Sequence, residues 1–227
     1  MARRRGSACA SLITSMPLDL PTLFSNYNVP PRGAIHAGAH DGQEVELYAG
    51  MGFKSGLFFE PQPFMFGPLT TRMRPYPGFR AVGAALGSRV GVATMYTETV
   101  NYGLSASLLK PKVHLTQYPE IPFTGTIEVP LTTLDEHFKG DDVSSFNFLN
   151  MDVQGYELEV LKGGMGILSR MDAIFSEVNR AEMYEGCAMV EQIDAFLATF
   201  GFRRRETDWK GDTWGEAFYV KETRLSS

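Results

Sequence analysis

Asn147-Phe148-Leu149-Asn150-Met151-Asp152-Val153-Gln154-Gly155-Tyr156-Glu157 is the stretch in which an apolar run turns abruptly polar. Residues 145–151 read as a central strand, and Gly155 opens a helix that runs to Gly163, with Leu158 and Leu161 on its apolar face. A strand that delivers Asn150, Asp152 and Gln154 at its carboxyl end and then enters a helix is half of a βαβ unit. Asp152 stands where it can face a ligand crevice, orient an acceptor hydroxyl, take its proton or help bind a cation; it can equally cap the helix. Glu157 falls in the first helical turn, where the helix dipole favours negative charge.

The same pattern repeats on both sides. Upstream, strands are expected at 33–37, 55–59 and 79–84, with helices at 43–51 and near 64–72. Downstream, a strand at 173–178 and a helix at 190–200 follow, the latter with Val190, Ile193, Phe196, Leu197 and Phe200 at helical spacing and Gly201 as its stop. Extended segments at 91–96, 126–129, 202–206 and 216–221 and a short helix at 133–138 complete the reading, the last two strands as an antiparallel closing hairpin. This alternation predicts an α/β fold, a mostly parallel sheet covered on both faces. Ligands on such sheets sit beyond the carboxyl ends of the strands, where strand order reverses. The polar clusters at 36–42, 60–63, 84–87, 150–157 and 177–180 fall at those ends.

The first cluster is His36-Ala37-Gly38-Ala39-His40-Asp41-Gly42-Gln43. Gly38 and Gly42 permit tight backbone passage, and amides at the helix start can hold an anion such as the carboxylate of an amino-acid-bearing cofactor. The spacing is GxxxG, not the dinucleotide fingerprint GxGxxG, which argues against NAD. Glu60 follows the second strand, 22 residues after Gly38, where an acid can accept hydrogen bonds from both ribose hydroxyls. Ala84 and Ala85 are small enough to admit an adenine ring after the third strand. Glu177 closes the strand at 173–178, and with Asp152 it places two carboxylates at one mouth. His40 stands beside the cofactor turn, within reach of an acceptor proton.

The 227 residues fit a single domain at 31–222, with 1–30 as tail and lead-in and 223–227 as a C-terminal tail. Residues 101–125 lack a clean period and are long for a connector, which predicts a lid or substrate insertion. A net charge of −5 argues against a broad nucleic-acid footprint. The basic start at 2–5 precedes only a short, interrupted apolar stretch, a poor secretory signal, and no run is apolar enough for a membrane span. Two cysteines, Cys9 and Cys187, form no metal-ligand pattern. No metal is expected, and a reducing, cytoplasmic setting is.

HAGAHDGQ at 36–43, FFEPQP at 58–63, NFLNMDVQGYELEVLKGG at 147–164 and FSEVN at 175–179 together resemble the FkbM family of AdoMet-dependent methyltransferases, in chain order from about Gly33 to Val220. The resemblance implies a seven-stranded Rossmann-like class I methyltransferase fold and methyl transfer from S-adenosyl-L-methionine (AdoMet), usually to oxygen of a small molecule, sugar or glycan. It implies cofactor binding by Gly38 and Glu60, and it matches Asp152, Gly155 and Glu157 to the central family motif and Glu177 to its later acidic position. The residues themselves add His36, Gly42, Ala84 and Ala85 as further cofactor candidates, and Asp152, with His40 and Glu177 second to it, as the catalytic candidates. Three positions depart from the family pattern: His36 where an acid is usual, Asn150 where lysine is common, and Gln154 where glutamate is common. An amine acceptor, or an AdoMet-binding domain without activity, are the alternatives.

Overall fold

The computed structural model describes residues 18–140 and 142–224; the basic N-terminal segment, Cys9 and residues 225–227 lie outside them. Seven strands form the central sheet: β1 (Gly33–Ala37), β2 (Ser55–Phe59), β3 (Phe79–Val82), β7 (Phe148–Met151), β8 (Ala173–Asn179), β9 (Phe202–Lys210) and β10 (Trp214–Lys221). Their order is β3-β2-β1-β7-β8-β10-β9. β10 is the one reversed strand, antiparallel to both neighbours; the remaining pairs are parallel. Strand order therefore reverses between β1 and β7, and the register there sets His36 beside Asn150 and Ala37 beside Met151.

The central strands β1, β7 and β8 are buried at every position, as expected of parallel strands sandwiched between helices. One face carries α1 (Leu20–Asn26), α2 (Val45–Met51) and α3 (Pro63–Met73). Phe24, Tyr48, Phe53, Phe58, Phe148 and Phe218 pack there, most of them edge-on or tilted. Against the other face, α5 (Leu134–His137), α6 (Glu157–Lys162), α7 (Met165–Leu168) and α8 (Val190–Ala198) place Leu134, Val160, Leu161, Ile193 and Leu197 on Ile35, Leu57, Leu149 and Ile174. A three-stranded sheet, β4 (Ala85–Leu86), β6 (Gly125–Thr132) and β5 (Gly91–Thr97), stands beside it in the order β4-β6-β5.

Several features differ from the sequence expectation, among them the strand expected at 145–151, which begins only at Phe148. The lead-in holds α1, capped by the Asp19 carboxylate on the Thr22 amide at 3.0 Å, with Leu20, Leu23 and Phe24 buried. Two turns are too short for a periodic signal to stand out, and it is burial rather than propensity that holds them. The strand expected at 79–84 stops at Val82, whose carbonyl takes the amides of Glu60 and Ala84, so that Ala85 and Leu86 join β6 in the second sheet instead. The helix expected at 155–163 begins at Glu157 and ends where Gly163 lies so close to Gly87 that a Cβ there would sit 1.9 Å from the Gly87 carbonyl oxygen.

Residues 101–125 contain α4 (His114–Gln117) and dock on the segment after β8. Lys112 and His114 donate amides to the Met183 carbonyl, and Pro111 bridges to Tyr184. The insertion forms a wall of the cavity described next, contributing Asn101, Leu104, Ser105, His114 and Tyr118 among others.

Candidate active site

A cavity of about 530 Å³ opens at the carboxyl ends of β1, β2, β7 and β8, at the reversal of strand order. His36, Gly38, His40, Glu60, Ala84, Ala85, Asp152 and Glu177 all line it. Gly42 does not. Its φ of +82° turns the chain into α2, and a Cβ there would meet Leu69 at 2.8 Å, so it serves the turn and its packing on α3.

Gly38 has φ +79°, and a Cβ would lie 1.9 Å from the Asp152 carbonyl oxygen. Glycine is required here because the turn after β1 presses on the end of β7. The amides of Gly38 and Ala39 both donate to the Phe59 carbonyl at 3.0 Å, that of His40 to Glu60, and that of Gly42 to Ala39. The turn is thus held chiefly by the end of β2. His40 itself has φ +50°, and its Nε2 donates to the Tyr102 carbonyl at 2.8 Å, tying the cofactor turn to the insertion.

Glu60 is 2 % exposed. One carboxylate oxygen takes the His40 amide and the other the Gln62 amide, each at 2.7 Å. Burial raises its pKa, and the two amides oppose that rise. Each oxygen retains a further lone pair, so a rigidly held carboxylate lines the cavity, with the small or apolar Ala84, Ala85 and Leu86 among the other lining residues. A carboxylate held in this way could accept from both hydroxyls of a ribose diol.

Across the cavity, Asp152 opens onto the lumen while protein surrounds it, and burial raises its pKa. Its Oδ1 accepts from Gln154 Nε2 at 2.6 Å; the same amide nitrogen donates to Glu177 Oε2 at 3.0 Å. Tyr184 donates its hydroxyl to Gln154 Oε1 at 2.8 Å. Gln154 is held in this role from a left-handed backbone, φ +54°, pinned by Ser107 Oγ on its carbonyl at 2.7 Å. Burial drives Glu177 well above the ordinary carboxylate range, and the charge of Asp152 drives it further. Glu216 stands directly opposite Glu177 on β10; burial and then Asp152 push it to about 8. Like charges this close do not all ionise at neutral pH, so the cluster retains protons and favours a cation in the cavity. Glu157 is structural: its Oε1 takes the amides of Val153 and Gly155.

The sequence reading missed Gln154 as a positioning residue, along with Glu44, Tyr184 and Glu216. Gln154 carried a signal, since it departs from the family pattern. Glu44 directly follows the first cluster, whereas Tyr184 and Glu216 reach the cavity only through tertiary packing. Among the described residues no three His, Cys, Asp or Glu side chains converge as metal ligands, and no helix is long and apolar enough to cross a membrane.

The pattern of the methyltransferase FkbM domain matches residues 36–204. The 2-O-methyltransferase NoeI of Sinorhizobium fredii is 30% identical over 172 residues, 73% of this chain and 71% of NoeI. Among solved structures, the SAM-bound magnesium protoporphyrin IX methyltransferase of Synechocystis PCC 6803 is 12% identical and covers 88% of this chain and 74% of its own, at a TM-score of 0.47. A putative S-adenosylmethionine-dependent methyltransferase from Listeria monocytogenes is 8% identical, covering 87% and 97% at 0.49. The cavity suits AdoMet on its own terms, with a directed carboxylate for a ribose and an acidic lining for a sulfonium. The chain belongs to the FkbM family of AdoMet-dependent methyltransferases, on a Rossmann-like class I fold.

Proposed function

We propose that this enzyme methylates a hydroxyl group of a sugar, glycan or other small polyhydroxylated molecule, with Asp152 as the residue that receives the hydroxyl. The observation that carries the reading is the clamp on Asp152, whose carboxylate is fixed by Gln154 beside Glu177 at the mouth of the cavity, across from Glu60. AdoMet, when bound, supplies a methyl group already activated by its sulfonium.

The task left to the protein is alignment and proton removal. Glu60 is the candidate for the ribose, Gly38 for the close approach of the turn, and Ala84 and Ala85 for the adenine face. His36 belongs to the same donor end, while Gly42 acts on it only through the turn. Asp152 accepts the hydrogen bond of the acceptor hydroxyl and takes its proton. Its raised pKa brings it nearer to that of a useful base than an ordinary aspartate would be. Glu177 acts through Gln154, holding Asp152 in place. His40, tied to Tyr102, fixes the insertion above the turn. Tyr118 and Trp214, joined by a 2.9 Å hydrogen bond, offer a flat rim of the kind a sugar ring can rest on. That NoeI is a 2-O-methyltransferase supports oxygen as the acceptor atom.

The test is methyl transfer from labelled AdoMet to a panel of mono- and oligosaccharides, polyols and amines, with the linkage determined on the product. A methyl ether is expected. Label found only on nitrogen would overturn the hydroxyl acceptor while leaving the donor site intact.

A further inference from the structure

AdoMet ends in a free α-amino acid, a zwitterion that needs one carboxylate for its ammonium and one N–H donor for its carboxylate. His36 and Glu44 both line the cavity. His36 is 2 % exposed on β1. The Asn150 amide, anchored at 2.7 Å on the Tyr48 hydroxyl, donates to His36 Nε2 at 3.3 Å. An Nε2 that accepts leaves the ring proton on Nδ1. That Nδ1 is buried, without a hydrogen-bond partner, and lies 3.8 Å from Glu44 Oε2.

Glu44 is equally uncommitted. It precedes α2, and its side chain makes no cap hydrogen bond there. The neighbouring cation, Arg72 on α3, is held by Asp41 at 3.0 Å and Glu46 at 3.5 Å. Among the described residues no lysine or arginine pairs with Glu44. Burial keeps His36 neutral, its pKa lowered to about 3, and raises Glu44 to about 7. His36 Nδ1 and Glu44 Oε2 thus stand 3.8 Å apart with no hydrogen bond between them, in two residues that both line the cavity. His36 stands in β1 and Glu44 just before α2, on either side of the turn that follows β1.

We propose that Glu44 is the carboxylate that reads the ammonium group of AdoMet, with the His36 Nδ1–H as donor to the adjoining carboxylate. The pair makes the site selective for nucleosides that carry an amino-acid end. This rests on the assignment of the donor end above, and it adds a residue that the turn motif does not contain.

The test compares two ligands by calorimetry on the intact protein: S-adenosylhomocysteine, and 5′-methylthioadenosine, which keeps the adenosine and sulfur but lacks the amino acid. Glu44→Gln should weaken S-adenosylhomocysteine by about 10- to 100-fold, the range for one charge-assisted hydrogen bond, and leave 5′-methylthioadenosine within about twofold. His36→Asp added to Glu44→Gln moves a carboxylate across the pair and should recover most of the lost affinity. Equal weakening of both ligands, unchanged affinity for S-adenosylhomocysteine, or no recovery in the double variant would each overturn the proposal. If the unmutated protein binds neither ligand, the donor-site assignment itself falls and this inference with it.

Discussion

Two carboxylates line the cavity in different ways: Glu60 is fixed by the amides of His40 and Gln62, and Asp152 by the side chain of Gln154, which Tyr184 holds in turn. The donor end is built from main chain at the ends of adjacent strands, and the acceptor end from side chains that arrive from β7, β8, β10 and the insertion. A backbone-built site is rigid and tolerates few changes in shape. A side-chain network can be altered residue by residue, and its members sense one another's charge. The difference suggests a division of labour, in which an invariable cofactor meets the first kind of site and a family-specific acceptor the second.

The largest expected effect comes from the main chain. Gly38→Ala places a Cβ 1.9 Å from the Asp152 carbonyl at a φ of +79°. It should destabilise the protein by about 3–5 kcal/mol, read by urea unfolding. A near-normal unfolding midpoint would mean that the two strand ends do not press together as described. Next, Asp152→Asn should lower kcat by about 10²- to 10⁴-fold, the usual contribution of a positioned base, while S-adenosylhomocysteine affinity stays within about threefold. A loss of affinity in parallel with kcat would place Asp152 at the donor end and erase the distinction between the two.

Glu60→Ala should weaken AdoMet binding by about 10- to 100-fold in a folded protein, measured by calorimetry. Unchanged binding would leave the directed carboxylate without a ligand role. The smallest effect is one of pH. Glu216 ionises ordinarily near 4.5 but is pushed to about 8 in the fold, and Glu157 to about 7, both mainly by burial. The folded chain therefore holds protons that the unfolded chain has released, and stability is lost as pH rises between those values. Glu216→Gln removes one such carboxylate. The melting temperature should fall less between pH 5 and pH 8 in this variant, with about 2–4 °C recovered at pH 8 for each kcal/mol regained. An unchanged pH profile would show that Glu216 does not retain its proton in the fold.

The contrast also explains what the sequence disclosed. β1 and β2 match the expected 33–37 and 55–59 because a strand buried on both faces reads as a nearly continuous apolar run, interrupted in β1 only by His36. Gly38, Glu60 and Asp152 stand just past strands and Glu177 near the end of β8, where fold class alone predicts a ligand, and all four line the cavity. Gly42 carried the same local signature, yet its glycine answers to Leu69 and Val45 rather than to the cavity. Glu216 and Tyr184 sit in segments with no motif, and only the pairing of β10 with β8 and the docking of the insertion bring them to the site. The extended segments at 91–96 and 126–129 were read, and they are β5 and β6; their separation into a second sheet was not, because β4, which joins them, has two residues.

The most direct measurement is a crystal structure of the complex with S-adenosylhomocysteine. The account predicts both ribose hydroxyls on the Glu60 carboxylate, the adenine against Ala84 and Ala85, and the sulfur facing Asp152. A ligand seated elsewhere, or a Glu60 side chain turned away from the sugar, would contradict it.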